Sequence, residues 1–375
     1  MGYPDLTDVV IAGGGIVGAA CAWEFCQAGL TAAIVEPNVI GGGATGAGMG
    51  HLAVMDDSEA QFALTRYSQL LWKELAERLP RGAEYLPCGA IWVAADAEEM
   101  AEVHRKRACL AAHRTPAEIL DSQSLAEAEP HLRPGLAGGL LLAEDAVVYP
   151  PYAARFLIEE AGARLYPGRR VVQLSDEGPT LDDGTFLPAA CTVIATGAFA
   201  RELVPDLPIT PRKGHLLITD RYPGFLNHQL IELGYMKSAH LTYSDSVAFN
   251  AQPRLTGQVL IGSSRQYATE DRAIETNLMD RMLRRAVEYM PDLAGVSAIR
   301  AWTGFRAATP DKLPLIGVCP GYSNVYLATG HEGLGISTST GTARLLADLI
   351  LNRESAIPRA PYLPGRAYTH DRSVH

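Results

Sequence analysis

The run Asp8-Val9-Val10-Ile11-Ala12-Gly13-Gly14-Gly15-Ile16-Val17-Gly18 limits what this chain can fold into more than any other stretch. Asp8 to Ala12 is short, apolar and rich in β-branched residues, as expected of a strand buried on both faces. A glycine turn follows at once, and the apolar-rich segment from about Val17 to Gln27 predicts a helix stopped by Ala28-Gly29. Thr31 to Val35 predicts a second parallel strand that ends in Glu36, 18 residues past Gly18. Each spacing has a physical purpose. Gly13 permits a tight turn, Gly15 lets backbone approach a pyrophosphate, and Gly18 allows close packing of helix on strand. The phosphates would meet the helix N-terminus, where unpaired N–H groups and the dipole favour an anion. Glu36 would accept hydrogen bonds from an adenosine ribose.

The next stretch separates two dinucleotides. Gly41 to His51 reads GGGATGAGMGH, six glycines in eleven residues, a composition that predicts neither helix nor regular strand. Directly after a ribose-binding acid, it reads as backbone passing close to a large flat ligand for which side chains would be obstacles. NAD does not need such a loop here; FAD commonly does. Further along, Thr192 to Gly197 (TVIATG) and Asn324 to Ala328 (NVYLA) predict two more strands, the first preceded by the turn Asp182-Asp183-Gly184. Ser337-Thr338-Ser339-Thr340 opens a last helix running to about Asn352, its hydroxyls offering capping oxygens. Loose N–H groups at that helix start would hydrogen-bond flavin N1 and the C2 carbonyl.

Composition removes other classes. A length of 375 residues suggests two lobes, and 47% hydrophobic with 20% charged residues describes a globular chain. A formal net charge of −10 argues against nucleic acid or an anionic membrane as partner. Cys21, Cys26, Cys88, Cys109, Cys191 and Cys319 include no CxxC pair, so neither a zinc site nor an iron–sulfur cluster is expected. No basic leader and no apolar run of about 20 residues is present, so a cytoplasmic enzyme without a transmembrane segment is expected.

With these segments in view, the chain resembles the D-amino-acid oxidase/glycine oxidase superfamily of FAD-dependent oxidoreductases. The likeness rests on GGGIVG with Glu36, GAGMG, Ala195-Thr196-Gly197, Lys213-Gly214, Trp302-Thr303-Gly304-Phe305-Arg306, Asp311 with Pro314 and Gly317, and GHEGLG at 330–335. GMGH and GHEGLG look most like bacterial D-hydroxyproline dehydrogenases. The resemblance implies an α/β protein: a Rossmann-type, GR2-like FAD-binding domain (1–84, 140–208 and 300–375) with a discontinuous substrate domain on an antiparallel sheet (85–139 and 209–299). Tyr243–Asn250 and Gln258–Ser264 around Gln252-Pro253-Arg254-Leu255-Thr256-Gly257 read as one of its hairpins. The polar tail after Pro361 is expected to be loosely ordered.

The resemblance also implies roles. Non-covalent FAD would be held by Gly13, Gly15, Ile16, Val17, Gly18, Glu36, Pro37, Gly43, Ala44, Thr45, Gly48, Met49, Gly50, Val171, Val172, Ala195, Thr196, Gly197, Gly304, Arg306, His331, Gly333, Leu334, Gly335, Ile336 and Ser337. Arg306 would fork onto a substrate carboxylate, whose oxygens match its parallel donors; the competing reading is a surface bridge to Asp311. Ala307 departs from the usual proline after that arginine. The family's substrate tyrosine is missing from Ser246-Val247-Ala248-Phe249, leaving Tyr243 or Tyr235 as substitutes. Glu332 stands where some relatives carry an arginine, and reads as a hydrogen-bond acceptor in the pocket or as a solvated side chain. His51 reads as a substrate or flavin contact, a covalent flavin attachment, or a structural histidine. Lys213 reads as structural, and Asp56-Asp57 as a solvated turn or helix cap.

The implied reaction is oxidation of the C–N bond of a small amino acid by hydride transfer to flavin N5, with cis-4-hydroxy-D-proline or a related D-amino acid as the first candidate. Alternatives are a glycine, sarcosine or D-amino-acid oxidase using O2, or the flavin subunit of a multi-subunit dehydrogenase. The electron acceptor and the oligomeric arrangement, homo-oligomer or partner subunits, stay open.

Overall fold

Period-2 alternation along the first strands sets the architecture. The structure is a computed structural model that describes residues 7–234, 245–267 and 269–368. Strand β1 (Thr7–Ala12) lies between β2 (Ala32–Glu36) and β11 (Ala189–Ile194), parallel to both. Parallel β8 (Arg164–Pro167) extends the sheet beyond β2; parallel β18 (Val325–Thr329) and antiparallel β17 (Leu315–Val318) extend it beyond β11. Val9, Ile11, Ala32 and Ile34 face a core shared with helices α1 (Ile16–Gln27), α3 (Glu59–Ala76), α6 (Pro150–Ala161) and α8 (Gly335–Ile350). Val10, Ala12, Ala33 and Val35 face the other side, covered by the ribbon β9 (Val171–Ser175) and β10 (Gly178–Leu181). Both faces are buried, so the strands read as unbroken apolar runs.

A second, eight-stranded sheet runs β16 (Ala298–Ala308), β12 (Thr210–Thr219), β15 (Val259–Arg265), β14 (Ser246–Pro253), β13 (Gln229–Glu232), β4 (Ala90–Ala94), β6 (Gly138–Leu142) and β5 (Glu118–Asp121). The expected hairpin is present as β14 and β15, closed by a turn at Gly257 with φ +84°. The sheet is antiparallel except for one parallel pair, β13 with β4. It continues past 139 and past 300, because β6 and β16 stay in its hydrogen-bond ladder to Leu142 and Ala308. One face packs against α5 (Ser122–Ala128) and α7 (Thr276–Tyr289), while α4 (Ala97–Ala112) covers part of the other. The rest of that second face looks toward the glycine-rich loop of the first lobe.

Several expectations need correction. The loop 41–51 contains one helical turn, α2 (Ala44–Ala47), closed by Ala47 N donating to Gly43 O (3.2 Å), and it ends in a short strand, β3 (His51–Leu52), paired with β7 (Ala146–Val147). The hydroxyls opening α8 do not cap it: Ser337 Oγ donates to His51 O (2.8 Å), and Thr338 Oγ1 turns back to Leu334 O (2.8 Å). Asp56 is not solvated; it forms a buried ion pair with Lys106, whose ammonium lies over the Trp92 ring. The tail is held as far as residue 368, with Tyr362 buried and its hydroxyl donating to Ala60 O (2.6 Å). Among the described residues no helix is long and apolar enough to cross a membrane, and no cluster of metal ligands forms.

Gly18 offers a direct check on this packing. A Cβ there would lie 2.0 Å from Gly13 O, a backbone atom that cannot swing away, whereas a Cβ at Gly295 meets nothing within 4 Å. Gly18→Ala is expected to destabilise the FAD-loaded protein by on the order of 1–3 kcal/mol through overpacking. Gly295→Ala should stay within about 0.5 kcal/mol of the parent. Equal urea midpoints for the two variants would contradict the packing described here.

Candidate functional site

The first half of the site is built by the turn after β1. Gly13 has φ +110°, and a Cβ on it would meet Ala195 O at 2.6 Å, so strand β11 passes too close for any side chain. Gly14 lies against Glu36 and Ile40. Gly15 caps α1, and a Cβ placed on it would meet only Thr45 Oγ1, at 3.2 Å. That hydroxyl accepts from Ile16 N (3.0 Å), so Thr45 caps α1 from the glycine-rich loop. Glu36 Oε2 accepts from Gly14 N and Oε1 from Asn38 N, both at 2.8 Å. The carboxylate expected at the ribose is thereby fixed against the turn, with Pro37 next to it. Val171 packs beneath the sheet while Val172 is exposed on the ribbon. Gly197, at φ +60°, ends the Ala195-Thr196-Gly197 strand exit, and its carbonyl accepts from Thr329 Oγ1 (2.9 Å).

The second half lies where the loop, the start of α8 and the sheet meet. Gly48 is pressed against Ile336, and Gly304 against Ala47, which a Cβ on Gly304 would reach at 2.3 Å. Trp302 Nε1 donates to Ala47 O (3.3 Å) and Gln252 Nε2 to Met49 O (2.7 Å). At Gly50, with φ +109°, a Cβ would strike Val148 O at 2.0 Å. Gln229 Nε2 donates to His51 Nδ1 (2.9 Å), which puts the imidazole proton on Nε2. Burial pushes the His51 pKa down to about 3, so the ring is neutral. His331 is likewise neutral, and its Nε2 meets Thr342 Oγ1 (3.0 Å); its imidazole is turned into α8 and away from the sheet. Gly333, Leu334, Gly335 and Ile336 lead into α8, whose first-turn N–H groups have no intrahelical acceptor.

Arg306 lies across the sheet face. Its guanidinium covers Gly214, where a Cβ would meet Nη1 at 2.5 Å, and its Nε lies 3.2 Å from a Cβ placed on Gly333. Nη1 donates to Ser264 O (3.0 Å). The Asp311 bridge is not made; Arg366 holds Asp311 instead, at 2.8 and 3.3 Å. Ala307 bridges to Glu332, whose N donates to Ala307 O (2.9 Å). Glu332 is not solvated: its side chain is only 10% exposed and pairs with Arg212, whose Nη1 also donates to Tyr267 OH (3.2 Å). Lys213 points to the opposite face and pairs with Asp271 (3.1 Å), which supports a structural part for it. Tyr235 and Tyr243 lie outside the described residues.

Sequence reasoning passed over Arg212, Gln229, Asn250 and Gln252, and gave Trp302 no role. Alternation in Thr210-Pro211-Arg212-Lys213-Gly214 already puts Arg212 on the Gly214 face. That Arg212 stands directly opposite Arg306 follows only from the register.

These residues fit FAD. Thr196 Oγ1 and His51 Nε2 are buried and have no partner among the described residues. Such atoms need one, and a polar ligand lying from the Gly13 turn to the sheet would provide it. The sequence matches the DAO family, FAD dependent oxidoreductase, over residues 8–349. The chain belongs to this family. It is therefore an FAD-dependent oxidoreductase. A glycine oxidase from Geobacillus kaustophilus is 30% identical over 95% of this chain and 96% of its own. A crystal structure of glycine oxidase from that organism matches with a TM-score of 0.85, covering 95% and 98% of the two chains. A hydrogen cyanide synthase subunit, HcnC, from Pseudomonas aeruginosa is 28% identical over 96% of each chain. The crystal structure of L-proline dehydrogenase from P. horikoshii shares the fold, with a TM-score of 0.87 at 22% identity over 98% and 99%.

Glu36→Ala removes acceptors from two backbone N–H groups and from any ribose hydroxyl. FAD affinity of the apoprotein is expected to fall by about 1–3 kcal/mol, roughly 5- to 150-fold. Titration followed by flavin fluorescence measures this, and an unchanged Kd would remove Glu36 from the FAD site.

Proposed function

We propose that this enzyme oxidises the C–N bond of a small amino acid and acts as a dehydrogenase. The first candidate substrate is cis-4-hydroxy-D-proline or a related D-amino acid. The observation that carries the reading is Arg306, laid over Gly214 and against Gly333 on the sheet face opposite the glycine-rich loop. A guanidinium has five donors, enough to hold Ser264 O and still meet a carboxylate. FAD, when bound, supplies the two-electron acceptor.

The chain's own residues would bind and orient the substrate. Arg306 fixes the carboxylate end, and that alignment is worth much of the rate. His51 cannot act as a cation at neutral pH; its Nε2–H is a neutral donor at the loop. Asn250 Oδ1 and Gln252 Oε1, buried and without a partner among the described residues, are acceptors suited to a substrate amine. Trp302, Leu216 and Met49 line the same region with apolar surface, which disfavours an ammonium and so favours the neutral amine.

A second reading, a glycine or sarcosine oxidase using O2, draws on the glycine oxidase at 30% identity. A third, the flavin subunit of a larger enzyme, draws on the relative named as a subunit. Anaerobic mixing of the holoenzyme with D-amino acids, hydroxyprolines, glycine and sarcosine tests the reading, with flavin bleaching as the signal. A kcat/KM that favours glycine or sarcosine over cis-4-hydroxy-D-proline would sink the preferred substrate. A faster rate with O2 than with a dye acceptor would make the protein an oxidase.

Arg306→Lys keeps the charge and loses the fork. The expected cost is about 2–5 kcal/mol in kcat/KM, roughly 30- to several-thousand-fold, in both kcat and KM, at normal FAD content. Near-parental kinetics at full flavin loading would mean that another residue anchors the carboxylate.

A further inference from the structure

We infer that Gln229 is a positioning residue for the flavin site: its side-chain amide locks the His51 imidazole with its proton on Nε2, so that His51 meets FAD as a fixed hydrogen-bond donor. This part falls on the FAD side of the site, so it holds for any of the substrates considered above.

The main chain first fixes where the ring stands. His51 lies in β3, paired with Val147 of β7, and its carbonyl accepts from Ser337 Oγ (2.8 Å) at the start of α8. The preceding Gly50 O accepts from Val148 N (2.9 Å). Held on both sides, His51 keeps one freedom, the nitrogen that carries its proton. Gln229 removes it. Its Nε2 donates to His51 Nδ1 (2.9 Å), so that nitrogen is the bare one. The glutamine has no slack of its own: it is 0% exposed, its N donates to Gly89 O (3.1 Å), and β13 runs between β4 and β14. An amide buried beside Leu230 and Ile231 costs free energy unless its groups are bonded, and the bond to His51 offsets part of that cost.

Glutamine is the residue type this task needs. A glutamate at the same reach would draw the proton to Nδ1 and favour an imidazolium, and a lysine or arginine would bring a charge. Burial pushes the His51 pKa down to about 3, so the ring is neutral and has one donor and one acceptor. Fixing one end fixes the other. The end left for FAD is Nε2, which is buried and has no partner among the described residues. A second amide holds the main chain of the same loop. The β13–β14 register pairs Leu230 with Ala251, and its next step sets Gln229 opposite Gln252. Gln252 Nε2 donates to Met49 O (2.7 Å). The sheet thus hands one amide donor to the loop backbone and one to the ring, and only the second selects a tautomer.

The test reads the ring nitrogens directly, by proton–nitrogen correlation NMR of the FAD-loaded protein with isotope-labelled histidine rings. Comparison with His51→Gln assigns the His51 signals. The parent at neutral pH should show a protonated Nε2 and a bare Nδ1; a proton on Nδ1, or on both nitrogens, would overturn the lock. The parent spectrum alone decides this point, so the test does not depend on any variant folding. Gln229→Glu should place a proton on Nδ1, in a neutral or a cationic ring, and a ring still protonated only on Nε2 would overturn the part given to Gln229. Gln229→Met removes the amide at similar length and should move the Nδ1 resonance; an unmoved Nδ1 would mean that the amide does not reach the ring. Removal of FAD from the parent should move the Nε2 resonance, and an Nε2 that coincides in apoprotein and loaded protein would overturn the donor role. Loss of the fixed donor in Gln229→Met should weaken FAD binding about 2- to 12-fold, the scale of one hydrogen bond, and an unchanged Kd would likewise overturn it.

Discussion

The approach of Gly18 to Gly13 O is the contact on which the rest of the molecule depends. It lets α1 start directly over the end of β1, with Ala195, just past β11, closing in from the other side. Only then do the first N–H groups of α1 face the loop that carries Thr45, and only then does Glu36 at the end of β2 reach Gly14 N. Side chains at 13 or 18 would push strand and helix apart and dissolve the anion-binding corner. The same economy of side chains recurs at the other end of the site, where Gly48, Gly304, Gly214 and Gly333 let the loop, the sheet, the start of α8 and Arg306 close on one another.

What could be read from the sequence divides along the same line. Asp8 to Glu36 was legible because its signals are local: β-branched runs, glycine spacing and an acid at a strand end. The hairpin β14–β15 was legible for the same reason, from alternation around a glycine turn. The helical turn at Ala44–Ala47 was not, because six glycines argue against helix by propensity and the turn is held by tertiary contacts with Ile16 N and Trp302. Asp56 was misjudged, and for Glu332 the solvated alternative is the one that fails. Acids usually lie in water, and what buries these two is a basic residue distant in sequence, Lys106 and Arg212. Ser337 looked like a cap, yet its partner, His51 O, is 286 positions away. The motif singles out Arg306 as a candidate; the arginine opposite it needed the register of two strands that are remote in the chain.

The electrostatic design is then simple to state. The surface is acidic, with a formal net charge of −10, yet the sheet face opposite the flavin loop gathers two arginines. Neutral polar groups lie further across the loop-facing side of the sheet: His51 held uncharged by burial, and the amides Gln229, Asn250 and Gln252. In the proposed function this face inverts the sign of the molecule locally, binding a carboxylate at one end and offering acceptors to an amine at the other.

A crystal structure of the FAD-loaded enzyme with a non-reducing carboxylate, propionate, tests this account most directly. The account predicts the dinucleotide against Gly13–Gly18 and Glu36, and the carboxylate on the guanidinium of Arg306 between Gly214 and Gly333. A carboxylate bound elsewhere, with Arg306 still turned wholly to Ser264, would contradict it.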